Sequence, residues 1–99
     1  MSQPSSFVEQ DGVGASDAIS IQDTSDIRIS YGVIVVSGSP VYTVQHSLGN
    51  SDFINNTDVQ TQSTTQDGNY VFPVQEVRVN VESGTGVVRL HVIQLIVGV

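Results

Sequence analysis

Apolar and polar residues alternate along the last third of this sequence, and that period of two restricts its fold more than any other feature. The alternation runs from Val74 to Glu82 and resumes at Val87 after a Ser-Gly-Thr-Gly segment. Only an extended strand places every second side chain on the same face. Val, Ile and Thr, which favour strands, supply 33 of the 99 residues, whereas Ala and Leu supply 5. The sequence therefore predicts an all-β protein.

A β-hairpin is the simplest arrangement of these two alternating runs. A turn centred on Gly84-Thr85 suits a two-residue hairpin loop, because Gly is favoured at its first central position. The predicted register places six apolar residues on one face, in the pairs Val81 with Val88, Val79 with Leu90 and Val77 with Val92. On the other face it pairs Glu76 with Ile93 and places His91 opposite Arg78.

Further strands are predicted upstream, over residues 18–22, 27–31, 33–36 and 41–48. We expect Gly32 to form a bulge or bend, and the continuously apolar run 33–36 to be covered on both faces. Residues 55–69 are polar, which predicts a loop with one weak strand near residues 58–65. The expected fold is a small antiparallel β-sandwich, either jelly-roll or immunoglobulin-like, over residues 17–99. Residues 1–16 contain few apolar side chains, which predicts a flexible N-terminal arm.

Charge and composition exclude several classes of function. The net charge is −7, Lys is absent, and the only basic side chains apart from two His are Arg28, Arg78 and Arg89. Nucleic acids and anionic membranes would repel such a chain. The absence of Cys excludes disulfides and thiolate chemistry. The N-terminal residues lack the basic and apolar blocks of a signal peptide, so we expect no secretion signal.

No constellation of catalytic or metal-binding residues is visible. His46 and His91 lie in separate predicted strands without neighbouring ligands, so we interpret both as partly exposed strand residues. Asn and Asp cluster between Asn50 and Asp58, but turn chemistry accounts for them as well as calcium binding does. We therefore predict no catalytic residue, no cofactor, no metal site and no enzymatic activity.

The last strand carries more apolar side chains than one buried face requires. Residues 92–97 are apolar at nearly every position, whereas a small sandwich covers only one face of each sheet. Either the N-terminal arm or the long loop covers the second face, or another subunit does. On the latter interpretation the candidate interface residues are Phe7, Val8, Ile93, Leu95, Val97 and Val99.

Part of the sequence resembles small structural proteins of tailed bacteriophages. The resemblance rests on PVQEVRVNV from Pro73, the SGTG turn, and VVRLHVIQ from Val87 to Gln94, preceded by YTVQHSL from Tyr42. Phe53 follows the acidic Asp52 at the position where such proteins often carry Trp. The similarity covers about half of the chain.

The resemblance implies a β-sandwich capsid decoration (cement) protein, located on the virion at the outer surface of the phage head and assembled in the host cytoplasm. Its expected partners are the major capsid protein, copies of itself, or both, with the chain homo-oligomeric or lattice-bound. Two alternatives remain open, a tail or head–tail connector component and a small carbohydrate-binding or adhesin domain. For the latter, Tyr70 beside Gly68-Asn69 is the best candidate for stacking on a sugar.

Overall fold

A computed structural model of the chain describes residues 5–21, 27–50, 52–70 and 74–96. Within these ranges the chain forms strands and one 3₁₀ helix, Thr57–Val59, and no helix is long and apolar enough to span a membrane. The strands are β1 (Ser5–Asp11), β2 (Gly14–Ala15), β3 (Ile19–Ser20), β4 (Ile27–Gly38), β5 (Val41–Ser47), β6 (Phe53–Asn55), β7 (Gln66–Tyr70), β8 (Glu76–Ser83) and β9 (Gly86–Ile96).

The strands form two antiparallel sheets that pack into a β-sandwich. Sheet A has the order β1-β9-β4-β7, and sheet B has the order β2-β8-β5-β6, with β3 also paired to β8. β1 pairs with β9, β2 and β3 pair with β8, β4 pairs with β7, and β5 pairs with β6. If β2 and β3 count as one interrupted strand, each strand counted from the start of the chain therefore pairs with its counterpart counted from the end. This nested pairing is that of a jelly roll, which confirms the predicted sandwich and selects between the two predicted topologies.

The predicted hairpin between β8 and β9 is wrong, because these two strands belong to different sheets. β9 pairs with β4 in sheet A, and β8 pairs with β5 in sheet B. A short connection joins β4 to β5, and another joins β8 to β9. The four strands therefore form one long antiparallel ribbon, which folds over where it passes from one sheet to the other. Register shifts at Val35/Ser37 and at Val41/Tyr42 flank the fold, as expected where bulges bend strands.

Three glycines allow the two halves of this ribbon to touch at the bend. Gly38, Gly84 and Gly86 all have positive φ, and a Cβ on any of them would overlap a backbone carbonyl of the opposing segment. The amide of Ser39 donates a hydrogen bond of 2.8 Å to the carbonyl of Thr85 across this contact. Only residues without a side chain permit so close an approach.

The core lies between the sheets and is built from the inward positions of the alternating strands. The six apolar residues predicted to share one face of a hairpin are indeed all buried, although they meet across the core instead of side by side. The core includes Ile29, Tyr31, Val33, Tyr42, Val44, Val77, Val79, Val81, Val88, Leu90 and Val92.

The flexible arm predicted over residues 1–16 differs from the structure from residue 5 onward, and so does the domain start at residue 17, while residues 1–4 lie outside the described residues. Residues 5–11 form β1, which pairs with β9, and Gly14–Ala15 pair with β8. Backbone pairing with β9 and β8 orders this segment, although it contains few apolar side chains. The long polar segment contains β7 at Gln66–Tyr70, and the weak strand predicted near residues 58–65 is reduced to an isolated β-bridge between Gln62 and Tyr42.

We predict that Gly86→Ala destabilises the fold more than Gly12→Ala. Both glycines have positive φ, but a Cβ at Gly12 meets no atom within 4 Å, whereas one at Gly86 collides with Ser37. Backbone strain alone should cost about 1–2 kcal/mol at Gly12, and the added collision should raise the loss at Gly86 to about 3 kcal/mol or more. Urea denaturation measures both, and equal losses would contradict the role of the close contact.

Candidate functional site: the outer face of sheet A

Sheet A presents an apolar outer face that the described part of the chain leaves uncovered. Ile34 on β4 and Ile93 on β9 alternate with core residues and are 41% and 45% exposed, and Phe7 on β1 is 58% exposed. Neighbouring strands align Phe7 with His91 and His91 with Gly32, which brings these apolar side chains onto one surface. Exposed apolar patches with a polar rim are typical of protein interaction sites.

An ion pair between β9 and β1 lies at one edge of this face. Arg89 on β9 contacts Glu9 on β1, with 2.7 Å between its Nη2 and the Glu9 Oε2. The Phe7 ring lies between two neighbours, since its centroid is 5.6 Å from the Arg89 guanidinium and 5.4 Å from the His91 ring. The two rings are stacked at 28°. These contacts hold the Phe7 ring over β9 while leaving its outer surface exposed.

The outer face of sheet B is polar by contrast. Arg78 Nε donates a 2.8 Å hydrogen bond to Gln45 Oε1, and Gln45 Nε2 donates one of 2.9 Å to Asn55 Oδ1. The Arg78 guanidinium also covers the Phe53 ring at 3.8 Å from its centroid. The described side chains on this face therefore satisfy one another, whereas the apolar side chains on sheet A stay exposed.

The predicted interface residues divide between these locations. Phe7 and Ile93 lie on the outer face of sheet A. Val8 does not, because its neighbour Phe7 points outward and Val8 therefore packs against the core. Leu95 lies in β9, where its backbone pairs with Arg28 of β4, while Val97 and Val99 lie outside the described residues.

Sequence reasoning missed Ile34, because the run 33–36 is typical of a strand covered on both faces. Gly32 does not form the predicted bulge, since the pairing of β4 with β9 is continuous through it.

A second candidate, also missed, is a buried polar cluster where both sheets meet the 3₁₀ helix. Asn56 Nδ2 donates hydrogen bonds to the hydroxyls of Tyr31 at 2.6 Å and Tyr70 at 3.3 Å. His46 Nδ1 lies 3.1 Å from the Tyr70 hydroxyl. The Asn56 Oδ1 also accepts the amide of Asp58 at 3.0 Å, which starts the 3₁₀ helix. No local pattern in the sequence signals this cluster, because its members come from four distant segments.

The electrostatics of this cluster keep its groups neutral. Burial raises the pKa of Tyr31 and of Tyr70, and burial lowers the pKa of His46. A tyrosine that acts as a general base or nucleophile needs the opposite shift, toward a pKa nearer neutrality. The described residues also contain no group of three or more His, Cys, Asp or Glu that could hold a metal ion. The cluster is therefore best explained as a means of satisfying polar groups inside the sandwich.

Three predictions about individual side chains are corrected by this geometry. His46, predicted to be partly exposed, is buried. His91 does not face Arg78, because β8 and β9 are in different sheets. The ring of Tyr70, the candidate for sugar stacking, is buried against Tyr31 and His46 at centroid distances of 5.2 and 5.1 Å. Only 5% of Tyr70 is exposed, which leaves too little of the ring for a sugar to stack on.

Comparisons with known proteins establish the fold and no family. No protein-family model matches the chain, and no curated protein matches it significantly. A chain from the structure described as "Bacillus endospore appendages form a novel family of disulfide-linked pili" is similar in fold, with a TM-score of 0.57. The two share 15% sequence identity, and the match covers 94% of this chain and 85% of that one. At this identity the likeness supports the β-sandwich alone.

We predict that Asn56→Ala lowers the free energy of unfolding by about 1–3 kcal/mol, because it removes partners from buried hydroxyls. The neighbouring Asn55→Ala is a matched control that removes only an exposed hydrogen bond to Gln45, so its effect should stay below about 0.5 kcal/mol. Thermal or urea unfolding measures the difference. Similar losses at both positions would show that the cluster does not stabilise the fold.

We also predict that stability falls at alkaline pH. Burial raises the pKa of Tyr42 to about 12, and its hydroxyl donates to the carbonyl of Thr64. The unfolded chain loses this proton near the ordinary tyrosine pKa of about 10, so stability is retained below about pH 10 and declines toward about pH 12. Tyrosinate absorbance and circular dichroism should change together in this range. Ionisation near pH 10 without unfolding would contradict the burial of the hydroxyls.

Proposed function

We propose that this chain is a non-enzymatic structural subunit that docks on other protein subunits through the outer face of sheet A. The observation that carries the proposal is the difference between the two sheets. On the outer face of sheet B, Gln45 is hydrogen-bonded to both Arg78 and Asn55. On the outer face of sheet A, the apolar side chains of Phe7, Ile34 and Ile93 are exposed.

The energetics of this face suit a subunit that binds in many copies. Completing the burial of a half-exposed Ile or Phe should contribute about 1 kcal/mol. Three such residues give weak attachment per contact, because association also costs several kcal/mol of lost freedom. Repetition over a regular lattice converts weak contacts into stable attachment.

We propose further that the lattice is the head of a tailed bacteriophage and that the chain decorates its outer surface. Two observations support this proposal. The sequence from Tyr42 to Gln94 resembles small virion proteins. The net charge of −7 suits an outer surface away from packaged nucleic acid, which would repel the chain from the inside. The partner in this arrangement is the major capsid protein.

A second candidate is a subunit of a pilus-like fibre, and the structural neighbour favours it. That protein belongs to disulfide-linked pili by its description, and it shares the sandwich over most of its length. None of the 99 residues here is Cys, so these residues could assemble only through non-covalent contacts. A fibre subunit would polymerise alone, whereas a decoration protein would need particles.

The test uses three isoleucines of similar exposure. Ile34→Asp and Ile93→Asp place a carboxylate on the outer face of sheet A, and Ile54→Asp places one on β6 of sheet B, where Ile54 is 49% exposed. We expect the sheet A variants to fold normally and to bind purified phage heads at least about a hundredfold more weakly, since a buried unpaired charge costs several kcal/mol. The Ile54 variant should bind like the unmodified protein.

Quantitative mass spectrometry of gradient-purified particles supplies the second measurement. A decoration protein should be present in a copy number comparable to that of the major capsid protein. Absence from particles would overturn the phage assignment, and polymerisation of the isolated protein into fibres would favour the second candidate. Equal weakening by all three substitutions would contradict the sheet A interface.

A further inference from the structure

A groove crosses the outer face of sheet A because β4 carries no side chain at Gly32. Across the sheet, Gly32 lies between His91 on β9 and Asp67 on β7, and Phe7 follows beyond His91. The row across the sheet therefore consists of the Phe7 ring, the His91 imidazole, the gap at Gly32 and the Asp67 carboxylate.

Two depressions meet at this gap. One, of about 360 Å³, is lined by Ser30, Tyr31, Gly32, Ile34, His91 and Ile93. The other, of about 340 Å³, is lined by Gly32, Val33, Ile34, Thr65, Gln66 and Asp67.

The fold itself does not require glycine at this position. Gly32 is absent from the residues with positive φ, and a Cβ placed on it meets nothing closer than 3.9 Å. Gly68 on the adjacent strand is different, because a Cβ there would collide with the Tyr31 hydroxyl. Glycine inside a strand weakens the strand and often marks a close approach by another backbone or a ligand. The gap at Gly32 is therefore best explained by what it admits from outside.

The two ends of the groove differ in chemistry. The end at Ile34 and Ile93 is apolar, whereas the other end holds the exposed carboxylate of Asp67. Among the described residues Asp67 forms no ion pair, and the one arginine on this face with a described side chain, Arg89, is already paired with Glu9. A ligand that fills both ends needs an apolar group beside a positive charge.

We propose that this groove binds a segment of the partner protein in which an apolar side chain lies next to Lys or Arg. The apolar side chain fills the depression beside Ile34 and Ile93, and the basic side chain reaches Asp67. This inference rests on the proposed docking function of sheet A and specifies its partner. A second copy of this chain does not fit, because the apolar neighbours of its Arg78 and Arg89 are buried in its own core and its net charge of −7 opposes self-association.

Two short capped peptides test the proposal whatever the partner protein is. They are identical except that Leu is followed by Lys in one and by Glu in the other. We expect the Leu-Lys peptide to shift the amide resonances of Gly32, His91 and Asp67 in a nuclear magnetic resonance titration. The Leu-Glu peptide should bind about two- to fivefold more weakly, the size expected for an exposed charge pair. Equal shifts with both peptides, or none with either, would overturn the proposal.

Substitutions separate the groove from its surroundings. Gly32→Val fills the gap with a side chain that strands favour, so we expect unchanged or increased stability and complete loss of the peptide-induced shifts. Asp67→Asn should remove the preference for Lys over Glu. Asn80→Val, on the outer face of sheet B, is the matched control and should change neither result. Retention of binding by Gly32→Val would overturn the proposal.

The same variants distinguish this proposal from the docking function on which it rests. If Gly32→Val binds phage heads normally while Ile34→Asp does not, sheet A docks but the groove is not its anchor. If the Leu-Lys peptide binds selectively and no particle carries the chain, the groove stands and the phage assignment fails.

Discussion

The close contact between the backbones near Gly38 and Gly86 is the constraint from which the rest of the architecture follows. It lets a long antiparallel ribbon fold over, so that β4 and β9 remain neighbours in one sheet while β5 and β8 become neighbours in the other. The outer face of sheet A is a product of this bend. In a flat hairpin Ile93 would stand opposite Glu76, whereas in the folded ribbon it stands opposite Ser30 with Ile34 nearby. The apolar surface therefore belongs to the topology and not to any single strand.

The sequence was sufficient to predict which side chains of the last two strands are buried, but not which strands pair. Alternation fixes the face of each residue, and Val79 and Leu90 are buried as predicted. It carries no information on pairing, because a hairpin and a folded ribbon bury the same side chains. The glycines of the turn suit both arrangements. The decisive contact joins this turn to Gly38, more than forty residues earlier in the sequence, and the order of residues 5–11 likewise depends on a strand at the other end of the chain.

The candidate site was predicted in part, for the same reason. The apolar surplus of the last strand predicted that Ile93 lies outside the core, and the N-terminal segment offered Phe7 as its apolar residue; both are exposed on sheet A. Ile34 was missed because a continuous apolar run is typical of a strand covered on both sides, and here one side stays open. Gly32 looked like an interruption of a strand, since a missing side chain has no signature of its own. The polar cluster around Asn56 was invisible because its partners are far apart in sequence.

The acidity of the chain and the apolar face of sheet A act at different ranges and together define what can bind. A net charge of −7 repels other copies over roughly a Debye length, about 8 Å at physiological ionic strength, which counters the tendency of an exposed apolar patch to self-associate. The same charge attracts a basic partner before contact, and the apolar residues stabilise the complex only after water is expelled. In the proposed complex, charge selects the class of partner, and the shape of sheet A determines where that partner is held.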